Sequence, residues 1–245
     1  MKVVIFGATS AVAADMAKEY ANQGHNLYLV ARNKERLVSL EKAIGNNVVG
    51  SFCYDFNDTE VAKRAVIAAK EALGNIDIAV LAHGDLGDQL RSETDFLEAE
   101  QTIKTNLLSA VAIIIPLAEL LKKQGAGKLA VLLSVAGDRG RPRNFTYATA
   151  KGGLGIYLQG LRSALYSTGV KVYCFKLGPV DSPMTVDHEK NFSFSSVEKV
   201  SALVRSGIEE NRYTRYVPGY WFWVMWAVRW MPEWLFQKLG FLSDR

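Results

Sequence analysis

The chain has 245 residues, of which 49% are hydrophobic and 22% are charged, and its formal net charge is +4. This length allows one large α/β domain. The basic excess is small and spread along the chain, so nucleic-acid binding is not indicated. Two isolated cysteines, Cys53 and Cys174, fit buried thiols in a reducing compartment better than a disulfide or a metal site. The apolar run at residues 3–6 is too short for a signal peptide, so we expect a cytoplasmic protein.

The beginning of the chain has a pattern typical of nucleotide binding. Residues 2–6 predict a buried strand, and residues 7–13 predict the turn into a helix. In such a turn the backbone N–H groups and the helix dipole can hold a pyrophosphate. Positions 11 and 13 are alanine, whereas glycine is usual in such a turn. The alanine methyl groups stand where the backbone would approach the cofactor, so the nucleotide-binding pattern is weaker here. The predicted cofactor contacts in this turn are Gly7, Thr9, Ser10, Ala11 and Val12.

The second predicted strand, at residues 26–31, bears on the choice of cofactor. An NAD site usually has an acidic residue at about this point to hold the ribose 2′-hydroxyl. The sequence has no acid between Gly24 and Lys34. Arg32 and Lys34 offer positive charge where a 2′-phosphate would lie. We therefore expect a preference for NADP(H), with NAD(H) as the alternative.

Three further strands are predicted, at residues 48–54, 76–81 and 129–133, with helices at residues 60–73 and 96–123 between them. Asp58 or Thr59 is the predicted cap of the helix at residues 60–73. Ser134 directly follows the last of these strands, at the edge of the sheet where open α/β folds bind ligands.

The helix that follows carries Tyr147 and Lys151, which are four residues apart and share one face. A free tyrosine has a pKa of about 10 and is a poor proton carrier near neutrality. We expect the adjacent ammonium to lower that pKa, as a general acid or base requires. A tyrosine and a lysine at this spacing often occur by chance, so the serine and the nucleotide-binding start of the chain are needed to support a catalytic reading.

Taken together, Ser134, Tyr147, Lys151 and the glycine turn resemble the short-chain dehydrogenase/reductase family from Met1 to about Met184. The resemblance implies that Tyr147 exchanges a proton with the substrate oxygen and that Ser134 orients that oxygen. It also implies that Lys151 tunes Tyr147 and holds the nicotinamide ribose, and that Asn106 supports a proton relay.

The resemblance also implies further cofactor contacts. Asp55 takes the position that bonds the adenine amine, and Ala82 and Gly84 lie beside the ribose. The run at residues 81–84, Leu-Ala-His-Gly, departs from the family's Asn-Asn-Ala-Gly, which leaves the role of His83 open. After a strand at residues 170–177, Val180 would offer its backbone to the nicotinamide amide, and Ser182 would offer a hydroxyl.

Two loops near the predicted site are candidates for substrate contact. The basic loop at residues 137–143 either meets an anionic part of the substrate or is solvated. The polar segment at residues 185–195 is typical of a lid. A helix at residues 197–210 and a last strand at residues 213–217 follow.

The tail contains every tryptophan of the chain, all five of them in Trp221–Trp234. Four fall within about an 80° arc of an ideal helix, and Pro232 predicts two short helices instead of one. The flanking basic residues, Arg212, Arg215, Arg229 and Lys238, favour a segment that lies in a membrane interface. An oligomer contact and a lid on the core are the alternatives.

These patterns predict a Rossmann-type, doubly wound α/β domain at residues 1–218, with a mainly parallel sheet, helices on both faces and a helical tail at residues 219–245. Several motifs are similar to those of the decaprenylphosphoryl-2-keto-ribose reductase subgroup, which would imply a keto sugar linked to a polyprenyl phosphate as substrate. A soluble reductase of small ketones or acyl compounds and a non-enzymatic dinucleotide-binding regulator remain alternatives. We expect a homo-oligomer, either a dimer or a tetramer, with no metal site.

Overall fold

The computed structural model describes residues 1–186 and 189–239. Its centre is a seven-stranded sheet in the order β3-β2-β1-β4-β5-β6-β7, and every pair of neighbouring strands is parallel. The strands are β1 Lys2–Phe6, β2 Asn26–Ala31, β3 Val48–Cys53, β4 Ile78–Leu81, β5 Gly127–Ser134, β6 Val170–Leu177 and β7 Thr214–Val217.

Helices connect these strands and form the outer layers, and the last two helices follow β7. They are α1 Ala11–Asn22, α2 Lys34–Ile44, α3 Thr59–Leu73, α4 Gln89–Ser92, α5 Phe96–Ile103, α6 Ser109–Gln124, α7 Phe145–Ala164, α8 Val197–Glu209, α9 Trp221–Trp230 and α10 Glu233–Phe236. Short 3₁₀ turns occur at Gly45–Asn47, Val135–Asp138 and Pro183–Thr185. Asp58 is the N-cap residue of α3, as expected, but its side chain makes no capping hydrogen bond.

Two hydrophobic cores cover the two faces of the sheet. Val4 and Phe6 of β1 point into one core, which α3, α6 and α7 complete. Val3 and Ile5 point into the other core, beside α1, α2 and α8. Because both faces are covered, the central strands are apolar throughout. The predicted doubly wound fold with helices on both faces is confirmed.

Several predicted strand boundaries differ from the structure. β5 spans Gly127–Ser134 instead of residues 129–133, and β7 begins at Thr214 instead of residue 213. β4 begins at Ile78, because the backbone of Ile76 is bonded to the Gln124 side chain: its N–H donates to Oε1 at 3.1 Å, and its carbonyl accepts from Nε2 at 2.9 Å. β3 ends at Cys53. The expectation that Cys53 is buried is wrong, since β3 is an edge strand whose residues alternate between half-buried and exposed. Cys174, in the interior strand β6, is buried as expected.

The long helix predicted at residues 96–123 runs from Phe96 to Gln124 and contains a π-helical turn, Lys104–Leu108. Such turns are frequent at functional sites. By length and composition the whole helix could cross a membrane, with a mean hydropathy of 1.6 over its most apolar window. However, Ile113, Leu117 and Leu121 are fully buried in the core beside α3, which is the environment of a core helix.

The tail forms two short helices that are separated at Pro232, as predicted. Met225 and Val228 of α9 and Phe236 of α10 pack on Val135, directly after β5. The tail therefore lies beside the carboxyl end of the sheet. The division into a catalytic domain at residues 1–218 and a tail that is not an independent domain stays a prediction.

Candidate active site

The site lies at the carboxyl ends of the strands, where the chain order reverses between β1 and β4. Open α/β sheets bind ligands at such a switch point. A cleft of about 1110 Å³ opens here. It is lined by these predicted site residues: Gly7, Thr9, Ser10, Ala11, Val12, Arg32, Asp55, Ala82, Gly84, Ser134, Tyr147, Lys151, Val180 and Ser182.

The turn after β1 has the geometry of a nucleotide cradle. Gly7 has a φ of 79°, and a β-carbon at this position would lie 2.5 Å from the backbone N of His83. Only glycine therefore fits without displacing the turn after β4. Ser10 is the N-cap of α1, and its hydroxyl accepts from the N–H of Ala13 at 3.4 Å. The start of α1 thus faces the cleft with its backbone N–H groups, which suits a pyrophosphate.

Two arginines stand at the end of the cleft next to β2. Arg32, which was predicted, is half-exposed and lies 3.5 Å from the carboxylate of Asp85. Arg36, which was not predicted, also lines the cleft, and its guanidinium donates to the carbonyl of Thr9 at 2.7 Å. Lys34 is the first residue of α2 and does not belong to the described lining of the cleft. The positive charge at this end therefore comes from Arg32 and Arg36.

His83 has a structural role in this arrangement. Its Nε2 lies 2.9 Å from the hydroxyl of Ser109, and its ring stacks on Phe56 with 4.4 Å between ring centroids. Burial, together with the positive charges of Lys151 and Arg32, lowers the pKa of His83 to about 3. The ring is therefore neutral at physiological pH and does not exchange protons there.

Ser134 lies at the end of β5, and Tyr147 lies in the first turn of α7. Both side chains line the same cleft. Ser134 is the last residue of β5, and its hydroxyl accepts from the N–H of Ala136 at 3.1 Å. Tyr147 is almost fully buried, and its hydroxyl lies close enough to that of Ser134 for the serine to lower its pKa. The two hydroxyl groups can thus contact the same substrate atom.

The pKa of Tyr147 differs from the expectation. Burial raises it to about 12; the hydrogen bond with Ser134 partly opposes this rise, and the charge of Asp85 adds to it. The expected lowering by Lys151 is wrong for this structure, in which the ammonium lies 5.7 Å from the centroid of the Tyr147 ring. Tyr147 therefore keeps its proton near neutrality, which suits a proton donor.

Lys151 is buried at the floor of the cleft. Burial lowers its pKa to about 8. Within the described residues its ammonium has no counter-ion, although the group lines the cleft. A hydroxyl-rich ligand such as a ribose would supply the missing acceptors.

Asn106 lies in the π-helical turn and is 1% exposed. Its amide donates to the carbonyls of Asp85 at 2.7 Å and Thr102 at 2.9 Å, and its oxygen accepts from the N–H of Asp85 at 3.2 Å. A β-carbon on Gly84 would lie 2.7 Å from the Asn106 oxygen and 2.9 Å from the Lys151 nitrogen. Asn106 therefore stands beside Lys151 and fixes the loop after β4, but it is not part of the cleft surface.

The loop after β6 closes one side of the cleft. Val180 bridges to Ser195, and Ser182 begins the short turn Pro183–Thr185 with reciprocal hydrogen bonds to Thr185. The predicted lid at residues 185–195 forms the rest of this wall, except that residues 187 and 188 lie outside the described residues.

The basic loop at residues 137–143 divides into two parts. Arg139 points away from the cleft and donates to the tail, namely to the carbonyls of Val228 at 2.5 Å and Met231 at 2.6 Å. Arg141 and Arg143 instead line the cleft. The sequence left open whether this loop meets the substrate or is solvated. The composition of a loop does not reveal which of its arginines has a partner.

The tail contacts the loop after β6 as well. The indole nitrogen of Trp221 lies only 2.0 Å from the position a β-carbon on Gly178 would occupy. The hydroxyl of Tyr220 donates to the carbonyl of Ser193, a cleft residue, at 3.1 Å. Both walls beside the candidate catalytic residues therefore contact the tail.

Comparison with known proteins agrees with this geometry. The model of the short chain dehydrogenase family matches residues 1–192. An uncharacterised oxidoreductase of Streptomyces coelicolor is 34% identical over 243 residues, covering 97% of this chain and 95% of that protein. An uncharacterised oxidoreductase of Mycobacterium tuberculosis is 32% identical over 230 residues, covering 93% of this chain and 89% of the relative.

Solved structures show the same fold at lower identity. The crystal structure of levodione reductase superposes with a TM-score of 0.77 at 21% identity, covering 86% of this chain and 93% of that chain. A short-chain type dehydrogenase/reductase from Mycobacterium ulcerans has a TM-score of 0.75 at 16% identity, with 84% and 82% covered. By its family match and its relatives, the chain belongs to the short-chain dehydrogenase family and is an NAD(P)-dependent oxidoreductase that acts on CH–OH groups.

Proposed function

We propose that this protein is an NADP(H)-dependent carbonyl reductase whose substrate is a keto sugar linked to a polyprenyl phosphate and held in a membrane. The observation that carries the proposal is that a tail with four exposed tryptophans packs against both walls of the cleft that contains Ser134, Tyr147 and Lys151. The presence of all three side chains in one cleft favours turnover over a role restricted to binding.

Each catalytic side chain has a distinct part in the proposed reduction. A nicotinamide cofactor, when bound in the cleft, would supply the hydride for the carbonyl carbon. Tyr147 donates its proton to the carbonyl oxygen, and Ser134 orients that oxygen by a hydrogen bond. Lys151 holds the ribose hydroxyls and stabilises the tyrosinate that remains after proton transfer, while Asn106 positions the loop after β4.

The high pKa of Tyr147 supports the reducing direction. A phenol with a pKa of about 12 is protonated at neutral pH and is ready to donate. The reverse reaction needs the phenolate, which is scarce under these conditions. Tyr147 is therefore in the protonation state that the proposed reduction requires.

The proposed preference for NADP(H) rests on Arg32 and Arg36. Both line the cleft at the end next to β2, and a 2′-phosphate would accept hydrogen bonds from two guanidinium groups there. Asp85 already pairs with Arg32 and so does not stand free to hold a 2′-hydroxyl. Asp55, in the same cleft, is the proposed partner of the adenine amine.

The proposed membrane contact consists of exposed aromatic side chains. Trp223, Trp226, Trp230 and Trp234 are 68%, 55%, 76% and 63% exposed. Because these four side chains are exposed, they do not cover the core as a lid would. Trp221, which packs against Gly178, comes closer to that role. Burying a few such rings in an interface would contribute a few kcal/mol, at about 25 cal/mol per Å² of apolar area. The protein would then lie on the inner face of the cell membrane without spanning it.

The electrostatic part of this membrane contact is smaller than the sequence indicated. Arg212 and Arg215 are both engaged by Glu210, at 2.8 Å and 3.6 Å. Arg229 and Lys238, whose ammonium lies 5.7 Å from the Trp234 ring, remain as the basic residues in the described part of the tail, which ends at residue 239. We therefore assign most of the proposed affinity to the tryptophans.

We also propose that the protein forms a homo-oligomer, a dimer or a tetramer, through α6, α7 and the π-helical turn. Leu108, Ile115 and Ile156 are 51%, 57% and 72% exposed on these elements. A second copy of the chain would cover them, which leaves the tail free for the membrane. In the alternative, a soluble reductase of small ketones, the tail itself would be the contact between subunits.

Two measurements test the proposal. NADPH oxidation is followed with a panel that contains polyprenyl-phosphate keto sugars, simple ketones and acyl carbonyl compounds, and we expect the lipid-linked sugars to give the highest kcat/KM. Flotation with anionic liposomes tests the membrane contact. A protein that reduces only small ketones and stays in the soluble fraction would support the soluble alternative.

A further inference from the structure

A pair of arginines in the cleft has no partner among the residues that the structure describes. Arg141 and Arg143 lie between the turn Val135–Asp138 and α7, and both line the cleft together with Tyr147. The Nε of Arg141 is fully buried and forms no hydrogen bond. Burial lowers the pKa of Arg141, and the positive charge of Arg143 lowers it further. Arg141 is half-buried and Arg143 is exposed, and their like charges repel each other.

Several other arginines in the described part of the chain have a counter-ion. Arg32 is bound to Asp85, Arg139 to Glu233, and Arg205 to Glu19. A half-buried guanidinium without a counter-ion is unfavourable unless something else supplies the acceptors. Within the described lining of the cleft, Arg32 is bound to Asp85 and Arg36 to the carbonyl of Thr9, whereas Arg141 and Arg143 have no such acceptor.

The start of α7 adds to the same site. This helix has 20 residues, and Asn144 at its N-cap position makes no capping hydrogen bond with its side chain. The Asn144 side-chain oxygen is buried and also has no donor in the described part of the chain. Gln89 takes one N–H of the first turn, that of Thr146, at 3.0 Å. An uncapped N-terminus beside two arginines attracts an anion.

The acidic residues of the cleft do not neutralise this pair. Asp85 is bound to Arg32, and Asp55 accepts from the backbone N–H of Asn57 at 3.0 Å. Glu189, on the lid, forms no ion pair with either arginine in the described structure. These carboxylates therefore leave Arg141 and Arg143 without a counter-ion in the described cleft.

We infer that Arg141 and Arg143 form a subsite for a phosphate ester of the substrate, next to the carbonyl that Tyr147 protonates. Two guanidinium groups can each donate a pair of hydrogen bonds to phosphate oxygens, and the acceptors would satisfy the buried Nε. This inference rests on the proposed reductase function and narrows it to carbonyl compounds that carry a phosphate. The source of the phosphate is either a lipid-linked phosphodiester or a free sugar phosphate.

Binding of small phosphate esters to the NADP⁺-saturated protein tests the subsite, because bound NADP⁺ fills the nucleotide site. Isothermal calorimetry with ethyl phosphate and diethyl phosphate compares wild type with Arg141→Gln and Arg143→Gln. We expect wild type to bind at least one ester and each variant to bind it roughly tenfold or more weakly, as for a lost charge-assisted hydrogen bond. Arg64→Gln, which removes an exposed charge on α3, is the matched control and should bind as wild type does.

The outcomes separate the subsite from the reductase proposal. Tighter binding of the diester supports a lipid-linked source, and tighter binding of the monoester supports a free sugar phosphate. No ester binding to wild type, or equal losses in the Arg64→Gln control, overturns the subsite. NADPH oxidation with a neutral ketone is measured in parallel: if it fails while the esters bind, the reductase proposal is wrong and the anion subsite stands.

Discussion

The guanidinium of Arg139 donates to the carboxylate of Glu233 at 2.7 Å, which links the loop after Ser134 to the C-terminal tail. The same guanidinium bonds the carbonyls of Val228 and Met231 and lies 3.9 Å from the centroid of the Phe236 ring. Its side chain is 13% exposed, whereas that of Glu233 is 70% exposed. The bonds to the tail backbone should therefore matter more than the ion pair.

We predict that Arg139→Ala releases the tail. The loss of several charge-assisted hydrogen bonds should lower the free energy of unfolding by roughly 2–4 kcal/mol and expose the tail to limited proteolysis. Glu233→Gln removes only an exposed ion pair and should cost less than about 1 kcal/mol. Thermal unfolding and tryptic digestion measure both effects. Equal stability losses in the two variants would contradict the dominant role of the backbone bonds.

The second prediction concerns the proton donor. Tyr147→Phe removes the donated proton and should lower kcat for reduction by roughly 10²- to 10⁴-fold, the usual range for general acid catalysis. The affinity for NADPH should change little, and fluorescence titration of the cofactor measures this. A variant that keeps near-full turnover would show that another group protonates the product.

The third prediction is the pH dependence of reduction. Because burial lowers the pKa of Lys151 to about 8, its ammonium loses its proton as the pH rises through about 8. The reductase activity should then be flat at lower pH and decline above about pH 8, while Tyr147 stays protonated up to about pH 12. Lys151→Arg keeps the charge at all these pH values and should remove the decline. The same decline in both proteins would exclude Lys151 as its cause.

The fourth prediction concerns cofactor choice. Arg32→Gln and Arg36→Gln should each raise the KM for NADPH about tenfold and leave that for NADH within about twofold, since only the 2′-phosphate loses a charged donor. Lys34→Gln, in the same segment but outside the described cleft lining, is the matched control. Steady-state kinetics with both cofactors decide the matter, and a wild-type protein that prefers NADH would refute the assignment.

Local patterns in the sequence were enough to predict the core of this fold. Mainly apolar runs predicted β2 and β6 to the residue, because strands covered on both faces are mostly apolar. The spacing of Tyr147 and Lys151 predicted their shared face, and the strand before Ser134 placed its hydroxyl at the carboxyl edge.

Contacts between distant segments could not be predicted in this way. The bonds from Arg139 to α9 and α10 join residues that lie far apart in the sequence, so a basic loop gave no indication of them. The rise in the pKa of Tyr147 depends on how deeply the folded chain buries the ring. Arg36 was missed because only its fold position, on the first turn of α2 facing Thr9, brings it to the cleft.

The last prediction concerns the membrane contact of the tail. Reduction of a lipid-linked substrate requires that its carbonyl reach the cleft while the exposed Trp223, Trp226 and Trp230 lie in the membrane interface. Replacing these three exposed residues with serine should release the protein from anionic liposomes without changing NADPH affinity, because they lie on α9 and outside the described cleft lining. Wild-type protein that never floats with liposomes would contradict the contact.

The most direct measurement is NADPH oxidation with a polyprenyl-phosphate keto sugar embedded in vesicles, compared with a water-soluble keto-sugar phosphate that lacks the lipid. The account predicts that wild type reduces both compounds. The triple serine variant should reduce the soluble compound as wild type does and lose most of its turnover with the vesicles. The proposed membrane-bound reductase function is contradicted if wild type does not oxidise NADPH with the vesicle-borne sugar. It is also contradicted if the triple variant reduces that sugar at the wild-type rate.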